Sequence, residues 1–181
     1  MTDPTASGPA APEGLAEFCE RLRPKLVGML SLYCADTGVA EELTQETLAR
    51  VWVNWDKVRV MSAPSGWTYR VAMNLANSAF RRRSAERRAQ QRLLDRGGVP
   101  NLVPHMDPDT PDTLAVRAAV AALPPRQRAV VVLRYYSDLP VEEVARLMSC
   151  AEGTVKSLTH RAMQTMRGMP HLSAEEVPGG A

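Results

Sequence analysis

The sequence has few cysteines, few aromatic residues and no long apolar stretch. Its three cysteines among 181 residues, Cys19, Cys34 and Cys150, are an odd and widely spaced set, which argues against a disulfide framework or a zinc site. The longest purely apolar run, Ala118–Leu123, is far shorter than the roughly 20 residues of a membrane-spanning helix. The first residues have neither the basic segment nor the apolar core of a secretion signal. We therefore expect a cytoplasmic protein with no membrane insertion, no metal and no cofactor.

The common catalytic motifs are also absent. The sequence has no HExxH, no glycine-rich phosphate loop and no GxSxG. A metal-dependent nuclease would need a cluster of carboxylates or histidines. The most basic part of the chain offers only Asp56, Glu86 and Asp95. The sequence therefore gives no reason to expect an enzyme.

Charge is distributed unevenly along the chain, although the net charge is only +2. Residues 1–49 hold three Lys or Arg and eight Asp or Glu, whereas residues 50–96 hold eleven and three. Residues 97–181 are nearly balanced, with eight and nine. An acidic block beside a basic block suggests two different partner surfaces, one of them for nucleic acid.

Helical periodicity interrupted by proline- and glycine-rich segments predicts an all-α chain with two small domains and a flexible linker. We expect a disordered arm over residues 1–13 and a first domain over 14–95. The linker is expected over 96–112, where four prolines and two glycines leave no room for regular structure. A second domain over 113–170 and a tail over 171–181 complete the predicted organisation.

Two amphipathic helices are predicted at the start of the first domain. The first spans residues 14–34, and Pro24 predicts a kink or break within it. The second spans residues 39–55, with an apolar stripe formed by Leu43, Thr47, Leu48, Val51, Trp52 and Trp55. Its opposite face begins with acidic and amide side chains: Glu41, Glu42, Gln45 and Glu46. Acids in a first turn also suit the helix dipole, so a purely structural role is the alternative to binding.

A third helix is predicted over residues 66–94, with Ser65 as its N-cap. One side, which we expect to be buried, carries Trp67, Val71 and Leu75. Another side carries basic and amide residues: Arg70, Asn74, Asn77 and Arg81. Asparagine can read base edges, and Trp67 and Tyr69 are candidates for stacking on unpaired bases, although the spacing of Trp67 is also typical of a core residue. The arginines at 81–83 favour phosphate contacts over sequence reading.

The second half predicts helices over residues 113–123 and 126–136, followed by a helix-turn-helix. A short helix over 141–148, a turn of about four residues and a last helix over 154–167 have the spacing of that motif. The second helix of such a motif enters the major groove of DNA. Its polar residues include no acid: Lys156, Ser157, His160, Arg161, Gln164 and Arg167. The alternative is a basic helix end exposed to solvent.

Three stretches resemble segments of bacterial RNA polymerase sigma factors, in the same order along the chain. They are AEELTQETLARVW at Ala40–Trp52, SGWTYRVAMNLANSAFRRR at Ser65–Arg83, and the helix-turn-helix region at Ala122–Arg167. The short length, with two domains and one linker, resembles the extracytoplasmic-function (ECF) group of that family. The resemblance implies recruitment of core RNA polymerase to selected promoters and help in melting the −10 region.

The resemblance also implies residue roles. Glutamate and glutamine residues of the second helix correspond to the family segment that binds the polymerase β′ clamp helices: Glu41, Glu42, Gln45 and Glu46. The family also contacts the β subunit of polymerase. The third helix and the loop before it correspond to the family segment that reads and opens the −10 element. The loop at 58–64 corresponds to the part that captures a flipped base. The residues of this segment are Arg59, Met61, Trp67, Arg70, Asn74, Asn77, Arg81, Arg82 and Arg83. The reader of the −35 element corresponds to Thr154, Lys156, Ser157, His160 and Arg161. An anti-sigma factor is the further partner that the family implies, beside promoter DNA.

The last helix departs from the family pattern at two neighbouring positions. Leu158 stands where an arginine is usual, and Thr159 stands where an apolar residue is usual. We expect the buried seam to turn toward Val155, Leu158 and Ala162, with Leu158 facing DNA as the alternative. A stand-alone dimeric helix-turn-helix regulator is the alternative function. The acidic and glutamine-containing second helix argues against it, because a simple repressor has no use for that motif.

Overall fold

The structure is a computed structural model that describes residues 12–93 and 111–169, with side chains at 12–82 and 114–169. The expected tail and almost all of the expected arm and linker lie outside the described residues. Within the described ranges every regular element is a helix, which confirms the all-α class.

Four helices form the first domain: α1 (Leu15–Cys34), α2 (Thr37–Val53), α3 (Trp55–Val58) and α4 (Pro64–Leu93). The Asp36 side chain accepts a hydrogen bond from the backbone N–H of Val39 at 3.0 Å, so it caps the start of α2. By contrast, Ser65 does not cap α4, because that helix begins one residue earlier, at Pro64. Proline is well suited to a first helical turn, since it has no N–H to satisfy.

Helix α1 runs unbroken through Pro24, so the predicted break is wrong. Pro24 and Glu20, four residues before it, are both exposed. The carbonyl that loses its helical hydrogen bond therefore lies on the solvent side, where water can satisfy it. The buried side of α1 continues past this point with Leu22 and Leu26.

The buried face of α4 is displaced from the predicted one. Trp67, Val71 and Leu75 are only half-buried, whereas the fully packed residues are Thr68, Tyr69, Ala72, Met73 and Ala76. The reason is that α4 packs against α1 and α2 on one side and against the second domain on another. Tyr69 is 4% exposed, so it is not available for stacking on bases.

The predicted stripe of α2 is also wrong at one residue. Trp52 is 49% exposed, and Thr44 is buried instead, at 1%. Thr47 is buried as predicted, and its hydroxyl donates to the Leu43 carbonyl at 2.6 Å. These threonines let α2 pack closely on α1 while its acidic residues point outward.

The second domain contains α5 (Pro111–Ala122), α6 (Pro125–Val131), α7 (Val141–Met148) and α8 (Glu152–Arg167). Helix α7 has the predicted bounds. The predicted helix over 126–136 changes character at Val132, where a π-helical turn (Val132–Tyr136) follows α6 directly. Ser149 ends α7 with a left-handed φ of 50°, which starts the turn of the helix-turn-helix.

The two domains contact each other and share a continuous apolar core. Helix α1 contacts α5 and the π-helical turn, and α4 contacts α7. The sequence predicts domains whose relative position is not fixed, and the structure instead packs one against the other.

Candidate functional site

Helix α2 presents an acidic surface, which we define as Glu41, Glu42, Gln45 and Glu46. All four side chains are exposed, because Ala40, Thr44 and Thr47 occupy the buried side of the same helix. Glu46 forms an ion pair with Arg50 at 2.9 Å, one turn further along. Such an exposed pair contributes little to stability, so these carboxylates remain available to a partner.

The basic surface of the first domain follows α4 and the turn before it. We define it by its exposed members: Arg59, Met61, Arg70, Asn74, Arg81 and Arg82. Trp67 is half-buried beside them. Arg81 donates to the Ser78 hydroxyl at 3.0 Å, which holds its guanidinium along the helix. Arg83 is also predicted to contact the −10 element, and its side chain lies outside the described residues.

Asn77 differs from Asn74, although the sequence places both on one face. Its side-chain oxygen accepts a hydrogen bond from the Tyr33 hydroxyl at 2.7 Å. Burial is the main reason that the pKa of Tyr33 is raised, which keeps that hydroxyl protonated and able to donate. The Tyr33 ring also packs edge-on against Phe80, with ring centroids 5.4 Å apart. Asn77 is therefore turned toward α1, and Asn74 is the amide that faces outward.

Helix α8 exposes the residues predicted to face DNA. Lys156, Ser157, His160 and Arg161 are exposed and Thr154 is half-buried. The domain-facing side of α8 is formed by Val155 and Ala162, both completely buried. The predicted burial of Val155 and Ala162 is therefore confirmed.

The unusual pair in α8 is accommodated without loss of hydrogen bonding. Leu158 is half-buried and packs against the core. The Thr159 hydroxyl donates to the Val155 carbonyl at 2.8 Å, so a polar side chain at a usually apolar position is satisfied by its own helix. The seam turns toward Leu158, as the sequence predicts.

Neither a metal site nor a membrane segment emerges from the residues the structure describes. Among them, no three His, Cys, Asp or Glu side chains are grouped closely enough to hold a metal ion. No described helix combines the length and apolar character needed to cross a bilayer.

Two family models match the chain, one in each domain. "Sigma-70 region 2" matches residues 18–86 and "Sigma-70, region 4" matches residues 113–166. The ECF RNA polymerase sigma factor SigL of Mycobacterium tuberculosis is 33% identical over 137 residues, covering 73% of this chain and 75% of SigL. The chain is an ECF member of the sigma-70 family. It is a transcription initiation factor that directs core RNA polymerase to promoters.

Other relatives agree with this family assignment. The RNA polymerase sigma-E factor of Streptomyces antibioticus is 30% identical over 128 residues, covering 71% of this chain and 68% of the relative. The sigma factor RpoE of Bartonella quintana, solved in complex with the anti-sigma factor NepR, has the same fold. It matches with a TM-score of 0.69 at 23% identity, over 88% of this chain and 98% of RpoE.

The residues that join the two domains of this sigma factor are not predicted from its sequence. Arg128 of α6 donates to the Tyr33 carbonyl at 3.0 Å, across 95 residues of sequence. Glu143 of α7 lies against Gly66 at the start of α4. No local pattern marks these residues, because each contact joins segments that are separately regular helices.

Proposed function

We propose that this sigma factor meets polymerase and promoter through three separate surfaces. The acidic surface of α2 binds the β′ clamp helices, the basic surface of α4 reads and helps to melt the −10 element, and α8 reads the −35 element. The observation that carries the proposal is that the acidic surface, the basic surface and four polar residues of α8 are all exposed on one helical scaffold; those four are Lys156, Ser157, His160 and Arg161. Exposed polar side chains are available to partners, whereas the apolar residues between them form the core.

The charges of the first two surfaces support different partners. Three carboxylates and an amide on α2 suit a basic or amide-rich protein surface, and they would repel DNA. Arginines along α4 suit phosphates, and Asn74 among them can bond a base edge. One small domain can thus hold a protein partner on one helix and a DNA strand on another.

We also propose an anti-sigma factor as a further partner and the cytoplasm as the site of action. The support is the family assignment together with the solved complex of Bartonella RpoE with NepR. Core RNA polymerase works where the chromosome lies, which is why a cytoplasmic location follows from the proposed activity.

Reversing charge on the acidic surface tests the polymerase contact. Glu42→Lys with Glu46→Lys should abolish capture of core RNA polymerase and run-off transcription. The matched control is Glu17→Lys with Glu20→Lys, two exposed acids on α1 that give the same change in net charge. The free energy of unfolding of each double variant should lie within about 0.5 kcal/mol of the wild-type value, because the changed side chains are exposed. Equal polymerase capture by the α2 variant and the wild type would refute the assignment.

The alternative function, a stand-alone regulator, differs from a sigma factor in how the purified chain should bind DNA without polymerase. A dimeric repressor protects its operator without polymerase, whereas a sigma factor needs polymerase to hold both DNA-reading domains on one promoter. We expect footprints only when core RNA polymerase is present. A tight, sequence-specific footprint by the chain alone would favour the regulator.

A further inference from the structure

A small cavity lies where α1 and α4 of the first domain meet the second domain. Its volume is about 160 Å³. No residue that defines the acidic or the basic surface lines it, and no residue of α8 does. A cavity of roughly 150 Å³ with an aliphatic lining can hold one benzene ring. This cavity therefore has room for a ligand built on a single ring.

The inner wall of the cavity is apolar. Met73, Ala129 and Leu133 are at most 4% exposed, and Leu147 and Met148 are half-buried beside them. One of the two methionines comes from each domain. Thioether sulfur atoms make favourable contacts with aromatic rings, and a flexible methionine adapts its shape to what it meets. The wall therefore suits an aromatic ring.

Asn77 gives the cavity a polar side with a defined direction. Its side-chain oxygen accepts a hydrogen bond from the Tyr33 hydroxyl at 2.7 Å, which leaves the amide nitrogen Nδ2 for another partner. Among the described residues, none accepts a hydrogen bond from that nitrogen. An amide nitrogen donates and does not accept. This side of the cavity therefore favours a ligand with an acceptor atom.

Arg126 adds a positive charge at the mouth of the cavity. It and Pro125 are the exposed members of the lining, and no described carboxylate lines the cavity. The ion pairs formed by the described residues do not involve Arg126. A guanidinium donates several hydrogen bonds in a fixed plane, and a carboxylate can accept two of them in parallel. The mouth therefore favours a carboxylate over a neutral acceptor.

We propose that this cavity is a binding site for a small aromatic carboxylate. The ring packs against Met73 and Met148, and the carboxylate accepts hydrogen bonds from Asn77 Nδ2 and from the guanidinium of Arg126. The site is additional to the three surfaces proposed above and does not depend on them. Because the ligand contacts both domains, its binding stabilises the contact between them more strongly as its concentration rises. The sigma factor would thereby respond to a small molecule of this class.

Sodium benzoate is the compound that tests the site, since it joins one ring to one carboxylate. Isothermal titration calorimetry with the full chain should show saturable binding with a Kd of about 1 mM or lower, a value in the range for so small a ligand. Benzamide keeps the ring and an acceptor oxygen and carries no charge. It should bind at least about tenfold more weakly, because a charged acceptor forms the stronger hydrogen bonds.

Two variants separate the charge at the mouth from the apolar wall. Arg126→Gln should weaken benzoate binding at least about tenfold and leave benzamide binding nearly unchanged. Arg23→Gln, at an exposed arginine outside this cavity, is the matched control and should bind benzoate as the wild type does. Ala129→Leu fills part of the cavity and should abolish binding of both compounds, with circular dichroism to check its fold. If that variant does not fold, the two arginine variants still decide.

Nuclear magnetic resonance can locate the bound ring. In a full chain with isotope labels at the methionine methyl groups, benzoate should shift the signals of Met73 and Met148, because an aromatic ring changes the local magnetic field. Met73→Leu and Met148→Leu assign the two signals. Met29 is completely buried in α1 and does not line the cavity, so its signal should stay in place.

Each outcome decides the proposal. Saturable benzoate binding that shifts Met73 and Met148 and is weakened in Arg126→Gln would establish the site. No saturable binding to the wild type, or binding that leaves both methionine signals unchanged, would overturn it. Equal benzoate affinity in Arg126→Gln and Arg23→Gln would overturn the recognition of a carboxylate.

Discussion

The two helices proposed to read DNA, α4 and α8, lie in different surroundings. The start of α4 is faced across a narrow cleft by α7, whereas the outward side of α8 is open, with Lys156, His160 and Arg161 exposed. Helix α4 packs on two neighbours of its own domain and on the other domain, and the main neighbours of α8 are α6 and α7. A helix that belongs to the core and also packs against a second domain is subject to more constraints than a helix with one side open to solvent.

The difference indicates how freely each helix can vary. The outward side of α8 can change without touching another element, whereas a change at the start of α4 also meets α7.

The largest expected effect is on the free energy of unfolding, in the core shared by α4 and the second domain. Leu133 is fully buried and lines a small cavity of about 160 Å³ with Tyr33 and Met73 of the first domain. Leu133→Ala should lower the free energy of unfolding by about 2–5 kcal/mol, measured by urea denaturation followed by circular dichroism. One cooperative transition is expected because the domains share a core. Two transitions, with only one displaced, would show that the domains unfold independently and would break the comparison.

Next in size are the base contacts, one on each helix. Asn74→Ala should reduce preference for the matched −10 element by about 1–3 kcal/mol, and Lys156→Ala should do the same at the −35 element. The measurement is competition between matched and scrambled elements for the polymerase complex. Asn77→Ala is the control on α4, because Asn77 is bonded to Tyr33. An equal loss on matched and scrambled −10 DNA would reduce Asn74 to a backbone contact.

On the open side, Leu158→Ala should have a moderate effect on stability. Leu158 is half-buried, so the free energy of unfolding should fall by about 1–2 kcal/mol, less than for a fully buried leucine. Thermal melting of the full chain gives the comparison with Leu133→Ala. An unchanged melting temperature would move Leu158 to the DNA side, and Leu158→Arg should then alter −35 preference.

The smallest effect is expected from a phosphate contact. Arg81→Ala should weaken binding of the polymerase complex evenly across promoter sequences. It should also reduce the slope of log affinity against log salt by about 1. Lys25→Ala, at an exposed position on α1, is the control and should leave that slope unchanged. A sequence-dependent loss for Arg81→Ala would instead make it a base reader.

The same comparison explains how far sequence reasoning reaches. The buried residues of α8 are predicted correctly because the helix has one buried side, and Val155 and Ala162 mark it clearly. On α4 the prediction is shifted by one residue, since burial on two sides blurs the periodicity. Trp67 is half-buried, so it is neither a simple core residue nor a fully exposed surface for base stacking.

The features that the sequence does not predict depend on contacts between distant residues or on local backbone geometry. The Arg128–Tyr33 hydrogen bond spans 95 residues, and no periodicity encodes it. The π-helical turn at Val132–Tyr136 is invisible because its residues suit an α-helix equally well. Pro24 predicts a kink or a break, and only its exposure in the fold explains why α1 continues. The residue roles at the three proposed surfaces stay predictions.

Gly28 and Gly66 have a consequence for natural variation. A glycine codon becomes an alanine codon by a single base change, and at either position the added methyl group meets the opposite domain. Mutation at these two codons would therefore disturb the packing between the two domains and leave every side chain of the three proposed surfaces in place. We expect positions 28 and 66 to stay small wherever the two domains pack in this way.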